Sequence, residues 1–464
     1  MKISKKYNFD CINCVYFIGV GGVSMSALAV FCKNQNKVVL GSDIVKSERT
    51  KKLNKYGIKV YYKQVQNNID SSIDLVVFSG AIKEDNPEIV RANQLNIPII
   101  SRGEMLAIVG EYCSKVVAIS GTHGKSTTSA MLSYIVLSAG LDACVHIGAN
   151  VPSLLEFGTD KKLANFVYGK DLLITEACEY KCNFLYTKNY IGVITNVERE
   201  HLDYFKTVKN EVKAFKKFAI NSKILVLNYN LKEVIKVKKN ILYVDLKNEK
   251  ADVFAKNINR LKSGGYVFDC YIKKKLYARF VINLIGEYNV YNALFAIACA
   301  WLLKIDKKVI TQALERFVGV ERRMQYLGKI ENCSIYLDYA HHPTEIENSI
   351  KAIMQDIKND KVLIVFQPHT YSRTKTLFDF FVQVFAICKY NIVFLPTYSA
   401  REQEKDGCSC EVLYNAVKKI KQNCEYKTKR EFVSYLKTKK RQFDYVFFIG
   451  AGDLDKLAKK IVTS

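Results

Sequence analysis

Short apolar runs rich in β-branched residues recur along the chain, and stretches with apolar residues at helical spacing separate them. Such runs are typical of buried parallel strands, whereas the three-and-four spacing is typical of helices packed on a sheet. The pattern therefore predicts an α/β fold. One predicted strand runs from Val15 into glycines that end at Gly22, and the others cover residues 37–40, 75–78, 97–100, 116–119, 172–175, 190–195, 223–228, 241–245, 334–337, 362–366, 392–395 and 445–449.

The alternation falls into three successive segments, each with glycine turns of a kind that binds nucleotides. Alternating positions between Ala251 and Ile282 predict β-hairpins inside the middle segment, with one turn at Ser263-Gly264-Gly265. Asn289 stands near the start of an apolar helix that runs to Leu303, where it either caps the helix or reaches a phosphate or base. The predicted domains are a Rossmann-like domain at 1–113, a central phosphate-loop domain at 114–319 and a Rossmann-like domain at 320–464.

The most informative motif follows the strand at 116–119. It reads Gly121-Thr-His-Gly-Lys-Ser126 and leads into helical spacing that ends near Gly140. Backbone N–H groups and a helix N-terminus at such a turn favour an anion, a lysine reaches the terminal phosphates and a hydroxyl can hold Mg²⁺. Ile119 stands where the longer form of this motif has a glycine, and an ordinary glycine turn is the alternative. The Lys-Ser pair at the helix start favours phosphate binding.

A carboxylate stands at the tip of the next predicted strand of the central segment. Glu176 directly follows the run at 172–175. A carboxylate beside a phosphate loop is well placed to hold Mg²⁺ together with the Ser126 hydroxyl. A surface glutamate after a strand is the alternative interpretation.

The glycine turn near the chain start partly matches a dinucleotide fingerprint. Gly21 and Gly22 are present, and Ser24 occupies the place of the third glycine. Asp43 ends the following strand about twenty residues on, where an acidic residue can bind a ribose hydroxyl. Asp43 as a helix N-cap is the competing interpretation, and neither role excludes the other.

Histidine is scarce, since the chain has six. All but one stand beside strand ends or glycine turns, which favours a chemical role for His123, His201, His341, His342 and His369. His146 is the exception and is interpreted as a plain loop residue.

Composition limits the classes of partner. The net charge of +25 is spread along the chain, so we interpret it as a lysine-rich solvated surface and expect no nucleic-acid partner. No apolar run is long enough to cross a bilayer and no signal peptide is visible, so we expect no membrane contact and a cytoplasmic location. Fourteen cysteines without repeated spacing predict reduced thiols.

Several motifs in one order together resemble the Mur ligase family, over nearly the whole chain. They are Gly121-Thr-His-Gly-Lys-Ser-Thr-Thr, Glu176-Ala, Thr195-Asn-Val-Glu, Glu200-His-Leu-Asp, Gly286-Glu-Tyr-Asn, Arg322-Arg323, Asp338-Tyr-Ala-His-His-Pro-Thr-Glu and Phe366-Gln-Pro-His. Among Mur ligases, the similarity is greatest to the members that add L-alanine to UDP-N-acetylmuramate.

The resemblance implies a three-domain enzyme whose first domain holds UDP-N-acetylmuramate, whose second holds ATP with Mg²⁺, and whose third closes over both and admits L-alanine. The expected activity is ATP-dependent ligation through an acyl phosphate, by a monomer or weak homodimer. The implied catalytic residues are Lys125, Glu176, His201, Arg323 and Asp338. The implied ATP contacts are Gly121, Thr122, His123, Gly124, Lys125, Ser126, Thr127, Asn289, Arg323 and Asp338, and the implied metal ligands are Ser126, Glu176 and His201. The implied UDP-sugar contacts are Gly21, Gly22, Ser24, Asp43, Ser79, Arg102, His369 and Arg373.

Three departures from the family pattern bear on these assignments. Cys178-Glu-Tyr180 stands where many alanine-adding members have Asp-Glu-Ser, Thr370 replaces a frequent arginine, and Ser126 replaces a commoner threonine. The functional arginine is either Arg322 or Arg323. Two other functions stay open: a Mur-type ligase with another acceptor, such as recycled tripeptide, glycine or serine, and a basic phosphate-loop ATPase acting on nucleic acid.

Overall fold

The computed structural model describes residues 3–158, 163–198, 202–261, 264–357, 359–400, 402–403 and 409–463. Over these residues the strands form three sheets. The α/β class predicted from the hydrophobic pattern is therefore confirmed. No helix in these ranges combines the length and the apolar character needed to cross a membrane.

The first sheet is parallel and has the order β3-β2-β1-β4-β5. Its glycine turn follows β1, at the point where the strand order reverses, which is where open α/β sheets bind ligands. The strands are β1 (Cys14–Ile18), β2 (Val38–Ser42), β3 (Lys59–Tyr61), β4 (Leu75–Phe78) and β5 (Ile99–Ser101). The helices are α1 (Ile3–Lys6), α2 (Val23–Asn34), α3 (Glu48–Lys55), α4 (Pro87–Gln94) and α5 (Arg102–Tyr112).

The second sheet has the order β15-β14-β13-β12-β11-β10-β6-β9-β7-β8. The strands from β13 through β12, β11, β10, β6 and β9 to β7 pair in parallel, and β8 pairs antiparallel with β7. The strands are β6 (Lys115–Ser120), β7 (Ala143–His146), β8 (Phe166–Val167), β9 (Leu172–Glu176), β10 (Asn189–Ile194), β11 (Ser222–Asn228), β12 (Asn240–Val244), β13 (Val253–Arg260), β14 (Tyr266–Ile272) and β15 (Lys275–Ile282). The helices are α6 (Lys125–Ser138), α7 (Leu202–Phe205), α8 (Val208–Ile220), α9 (Tyr288–Leu302) and α10 (Lys307–Arg316).

The third sheet has the order β16-β17-β21-β18-β19-β20, with β16 antiparallel to β17 and the other pairs parallel. Its strands are β16 (Gln325–Ile330), β17 (Cys333–Asp338), β18 (Val362–Phe366), β19 (Asn391–Phe394), β20 (Cys424–Tyr426) and β21 (Tyr445–Ile449). Its helices are α11 (Pro343–Asp356), α12 (Tyr371–Thr376), α13 (Phe378–Ala386), α14 (Cys410–Ile420), α15 (Lys429–Lys439) and α16 (Leu454–Thr463).

Packing explains why the central strands read as unbroken apolar runs. In β18, Ile364 and Phe366 join an apolar cluster on one face of the third sheet, whereas Leu363 and Val365 join a second cluster on the other face. A strand covered on both faces has no polar position along its length.

Two compact units make up the chain. One comprises Met1–Asn259, Val267–Ile282 and Val290–Val318, so it contains the first sheet and most of the second; the other comprises Arg260–Tyr266, Asn283–Asn289 and Gly319–Ser464. Asp356, at the end of α11, binds the two short segments Arg260–Tyr266 and Asn283–Asn289 to the rest of this second unit. Its carboxylate accepts hydrogen bonds from the Tyr266 hydroxyl and, at 2.7 Å, from the Gly286 N–H.

The cysteines whose positions the structure describes are free thiols. Cys11 is exposed and Cys14 is buried at the start of β1. Reduced thiols are what the irregular cysteine spacing predicts.

Candidate functional site

The phosphate loop follows the carboxyl end of a central strand. β6 lies between β9 and β10, and Ile119 is in register with Glu176 at the end of β9. Gly121 to Gly124 leads directly into α6, whose first residue is Lys125. This arrangement places a helix N-terminus, with its unpaired backbone N–H groups and positive dipole end, at the ligand-binding edge of the sheet.

Two glycines allow the loop to turn in little space. Gly121 has a φ of +132° and Gly124 a φ of +83°, which L side chains rarely adopt. A Cβ on Gly121 would collide with Thr195 Oγ1, and a Cβ on Gly124 would lie 2.5 Å from Asn292 Oδ1. Both positions therefore require glycine for conformation and for space.

The residues after β10 hold the loop in shape. Thr195 Oγ1 donates to the His123 carbonyl at 2.7 Å, and Asn196 Oδ1 accepts from the His123 N–H at 2.7 Å. Thr122 N–H donates to the Asn196 carbonyl at 3.2 Å, and Thr122 Oγ1 accepts from the Glu198 N–H at 2.9 Å. With these bonds the loop backbone is held in one conformation by the neighbouring strand end.

The Lys125 side chain folds back over the loop. Its ammonium donates to the carbonyl oxygens of Gly121 and, at 3.0 Å, Thr122, and it lies 3.1 Å from a carboxylate oxygen of Glu179. The Glu179 side chain is fully buried. The lysine charge is thus fixed above the turn and balanced by a buried carboxylate.

Two oxygen donors stand at this edge of the sheet. Ser126 is in the first turn of α6, followed by the buried Thr127, and Glu176 accepts a hydrogen bond from the Gly148 N–H at 3.1 Å. Within the described ranges, no cluster of three or more His, Cys, Asp or Glu side chains could hold a metal. The third predicted ligand, His201, lies outside the described residues.

In the first sheet, the glycine turn is held by the end of β2. The N–H groups of Gly19 and Val20 donate to the Ser42 carbonyl at 2.8 and 2.9 Å, and the Gly21 N–H donates to Asp43 Oδ2 at 2.9 Å. Gly22 is the N-cap of α2. Asp43 thus fixes the turn itself.

The interpretation of Asp43 as a helix N-cap is wrong. The next helix, α3, begins at Glu48 and is capped by Ser47, whose side chain accepts from the Thr50 N–H. Asp43 Oδ1 instead accepts from the Val45 N–H at 2.9 Å. The Asp43 carboxylate accepts hydrogen bonds from two loop N–H groups, so it stabilises the loop after β2 and not the first turn of a helix.

Five predicted UDP-sugar residues converge at the carboxyl edge of the first sheet. Ser79 follows β4, and a Cβ on Gly19 would lie 3.1 Å from Ser79 Oγ. Arg102 begins α5 after β5, and its guanidinium donates to Ser24 Oγ at 3.3 Å. The structure thus brings Gly21, Gly22, Ser24, Ser79 and Arg102 to one crevice.

The interpretation of His146 as a plain loop residue is wrong. It is the last residue of β7, it is buried, and its ring bonds Ser24 Oγ at 2.8 Å and Thr175 Oγ1 at 3.0 Å. Burial, assisted by the positive charge of Arg102, lowers the pKa of His146 to about 3. The imidazole is therefore neutral near pH 7.

Asp338 and the two adjacent arginines occupy distinct environments. The buried Asp338 ends β17 and accepts from the Ser349 hydroxyl, and burial raises its pKa. Arg323 lies 3.6 Å from a carboxylate oxygen of Glu345. Arg322 donates to the Gly450 and Gly452 carbonyls, at 3.3 and 2.9 Å. Arg322 therefore stabilises the loop after β21, whereas Arg323 pairs with Glu345.

His369 and Arg373 lie together. Arg373 Nη1 is 3.4 Å from His369 Nδ1, and the His369 ring stacks on Tyr398 and meets His341 edge-on at 5.9 Å. Burial, and then the charge of Arg373, lowers the pKa of His369. His342 caps α11, and Pro343 occupies the first turn of that helix.

Asn289 lies in the first turn of α9. Its side-chain amide donates to the Ile285 carbonyl at 2.7 Å. This bond fixes the chain just before the helix, and the predicted contact of Asn289 with ATP stays a prediction.

Three residues near these sites were not assigned from the sequence. Glu179 and Asn292 stand three residues beyond Glu176 and Asn289, just after the motifs Glu176-Ala and Gly286-Glu-Tyr-Asn, and that proximity was the available signal. For His146 the signal was the scarcity of histidine, which applied to it as much as to the other five.

The role of Gly124 in the loop can be tested by comparison with Gly140, a second glycine with a positive φ. Gly124→Ala should lower the free energy of unfolding by about 1–2 kcal/mol for the positive φ and raise the KM for ATP, because the methyl group displaces Asn292 from the loop. Gly140→Ala, at the other end of α6, has a φ of +73° and open space for a Cβ. It should lose similar stability with an unchanged KM for ATP; equal KM values for both variants would contradict the role of the loop.

Comparisons with known proteins agree with this geometry. Three family profiles match in order: "Mur ligase family, catalytic domain" at residues 14–111, "Mur ligase middle domain" at 119–300 and "Mur ligase, glutamate ligase domain" at 322–452. These matches fall inside the predicted domains 1–113, 114–319 and 320–464, whose precise boundaries stay predictions.

Full-length relatives are also similar. A protein of Caldicellulosiruptor saccharolyticus named UDP-N-acetylmuramate–L-alanine ligase is 38% identical over 461 residues, covering 97% of this chain and 98% of its own length. One of the same name from Caldicellulosiruptor bescii is 39% identical, covering 98% of this chain and 100% of its own. The crystal structure of UDP-N-acetylmuramate–alanine ligase from Thermotoga maritima matches with a TM-score of 0.82 and 25% identity, covering 97% of this chain and 98% of that one. This chain belongs to the Mur ligase family, and it has that family's three-domain architecture.

Proposed function

We propose that this enzyme joins L-alanine to the carboxylate of UDP-N-acetylmuramate, with conversion of ATP to ADP and phosphate, in peptidoglycan synthesis. The observation that carries the proposal is the full-length similarity to relatives that bear the name of this activity. A cytoplasmic location and a monomer or weak homodimer stay predictions.

The geometry of the phosphate loop supports the use of ATP. The loop presents a helix N-terminus and the ammonium of Lys125 at one edge of the second sheet. Phosphoryl transfer requires positioning and charge neutralisation more than covalent catalysis. Lys125 would exchange its present bonds to loop carbonyls for the γ-phosphate and neutralise the charge that develops there.

The donors at the loop fit Mg²⁺. Ser126 and Glu176 offer a hydroxyl and a carboxylate, and Mg²⁺ is usually held by one or two carboxylates together with water and substrate phosphates. When bound, the ion neutralises phosphate charge. Glu176 is held in place through the Gly148 N–H, so its carboxylate is oriented in advance. His201 stays a predicted ligand of a second ion.

UDP-N-acetylmuramate would bind at the first glycine turn. The carboxyl edge of the first sheet carries the N-terminus of α2 and the guanidinium of Arg102, which both favour a diphosphate. Asp43 orients the turn through the Gly21 N–H. Contacts of His369 and Arg373 with the muramyl end, and of Asn289, Arg323 and Asp338 with the nucleotide, stay predictions.

The chemistry requires activation because a free carboxylate is a poor acylating agent. Transfer of the γ-phosphoryl group to the muramyl carboxylate gives an acyl phosphate, which has a good leaving group. The amine of L-alanine then attacks the acyl carbon, and the tetrahedral intermediate collapses to amide and phosphate. Binding both partners in fixed positions supplies much of the rate.

The test is a double requirement for substrates. Purified enzyme with ATP and Mg²⁺ should release phosphate in a sustained way only when UDP-N-acetylmuramate and L-alanine are both present, since the acyl phosphate forms on one and is consumed by the other. The measurement is phosphate release in the four combinations of the two substrates. Release that ignores both substrates but rises with DNA or RNA would overturn the proposal in favour of a nucleic-acid ATPase.

A second assay separates acceptors. We expect L-alanine to give a higher kcat/KM than glycine, by about 10–200-fold for the missing methyl group. L-serine, which adds a hydroxyl, should also give a lower kcat/KM than L-alanine, and a tripeptide should give no turnover. Turnover with the tripeptide at the rate of L-alanine would reassign the enzyme to the recycling class.

A further inference from the structure

The N-terminus of α2 is held by a strand pair of the second sheet. Asn165, fully buried just before β8, donates to the carbonyls of Val23 at 3.0 Å and Ile147 at 3.2 Å. His146, the last residue of β7, bonds Ser24 Oγ one residue further along α2. The first glycine turn is thus fixed to the sheet that carries the phosphate loop.

The hydrogen bonds around His146 form a chain with one direction. The Thr175 hydroxyl donates its only proton to the Glu176 carbonyl at 3.2 Å, so toward His146 it must accept. Nδ1 of the neutral imidazole therefore carries the hydrogen, and Nε2 accepts from the Ser24 hydroxyl. Ser24 Oγ in turn accepts from Arg102. A single imidazole tautomer satisfies every link.

The two ends of this series of hydrogen bonds lie in the two sites of the proposed reaction. Arg102 and Ser24 belong to the crevice proposed for UDP-N-acetylmuramate, whereas Thr175 precedes the proposed Mg²⁺ ligand Glu176 on β9. We propose that His146 is a positioning residue that holds the Arg102–Ser24 pair and the Thr175–Glu176 strand end in fixed relation, so that the sugar acid meets the phosphate loop. The inference rests on the proposed function.

Substitutions can remove the hydrogen bond of His146 to Ser24 or its hydrogen bond to Thr175, one at a time. Asparagine places its amide where Nδ1 lies, so His146→Asn keeps the Thr175 end and loses Ser24; glutamine reaches the position of Nε2, so His146→Gln keeps Ser24 and loses Thr175. Ser24→Ala and Thr175→Val cut the same two ends without changing the histidine. Each end is therefore tested by two independent variants.

The expected result is a split between kinetic parameters. His146→Asn and Ser24→Ala should raise the KM for UDP-N-acetylmuramate about tenfold with a nearly unchanged kcat, because a buried donor or acceptor is left unsatisfied beside Arg102. His146→Gln and Thr175→Val should lower kcat about tenfold with a nearly unchanged KM, because the strand end that carries Glu176 loosens.

Ser222→Ala is the matched control. Ser222 is a buried serine that bonds Asn189 at 3.2 Å at the amino end of the same sheet, away from the loops. The Ser222→Ala variant should be less stable than the wild type, with unchanged kcat and KM. If the variants of both ends change kcat and KM in parallel, or resemble Ser222→Ala, the positioning role is wrong while wild-type turnover preserves the proposed function. Absence of wild-type turnover with both substrates would overturn the proposed function and the inference with it.

Discussion

Lys125→Ala should lower the rate of phosphate release with all substrates present by roughly 10³-fold. The lysine is the first residue of α6, and its ammonium already lies against the turn, bound to two loop carbonyls and balanced by the buried Glu179. Once the ammonium has exchanged these carbonyls for the γ-phosphate, it lies where phosphate charge develops, so its loss acts directly on the barrier. The measurement is steady-state phosphate release.

The same variant tests the division of labour between the two glycine turns. Binding of UDP-N-acetylmuramate, measured by calorimetry without ATP, should stay close to the wild-type value, because the Arg102 crevice is built on the first sheet. Lys115→Ala is the matched control, since Lys115 is exposed at the opposite end of β6 and should tolerate substitution. Loss of UDP-sugar binding in the Lys125 variant would contradict the separation of the sites.

Buried strands were the part of the fold most accessible from the hydrophobic pattern. The strands at 75–78, 362–366 and 445–449 have the predicted bounds. They lie inside sheets, so one apolar requirement governs every position. The phosphate loop was equally predictable from the sequence. The positive φ of Gly121 and Gly124 requires glycine at those two positions, and the lysine directly follows them in the sequence.

Elements with few buried residues gave weak signals. α3, with the sequence Glu-Arg-Thr-Lys-Lys-Leu-Asn-Lys, buries Leu53 and Thr50 and depends on the Ser47 cap, so its apolar pattern is too sparse to detect. β7 is a short strand that ends in a histidine. Its neighbours in the sheet, rather than its own residues, show that it is a strand.

Contacts between residues distant in the sequence were not predictable from spacing. Ser24 and His146 are separated by 122 positions, and neither residue indicates the other. Asp43 was correctly placed at a strand end, but its bond to the Gly21 N–H, in place of a helix cap, depends on where the loop turns. The sequence thus located the two glycine turns and left open how they are joined.

The adjacent arginines should respond to substitution in opposite ways. Arg323→Ala should lower kcat about 100-fold with little change in stability, because its side chain is about one-third exposed and its ion pair with Glu345 is long, at 3.6 Å. Arg322→Ala should lower the free energy of unfolding by about 1–3 kcal/mol, because its guanidinium bonds two carbonyls of the loop after β21 and lies 4.6 Å from the centre of the Tyr339 ring.

Thermal unfolding and steady-state kinetics on both variants, with lysine at each position as the conservative control, separate the two roles. Arg322→Lys should recover part of the stability through one carbonyl bond, since an ammonium cannot reproduce the planar fork of a guanidinium. Arg323→Lys should recover part of kcat, because it keeps the positive charge. If Arg322→Ala abolishes turnover with unchanged stability while Arg323→Ala does not, the functional arginine is Arg322. The hydrogen bonds of Arg322 to the Gly450 and Gly452 carbonyls would then have to break during the reaction.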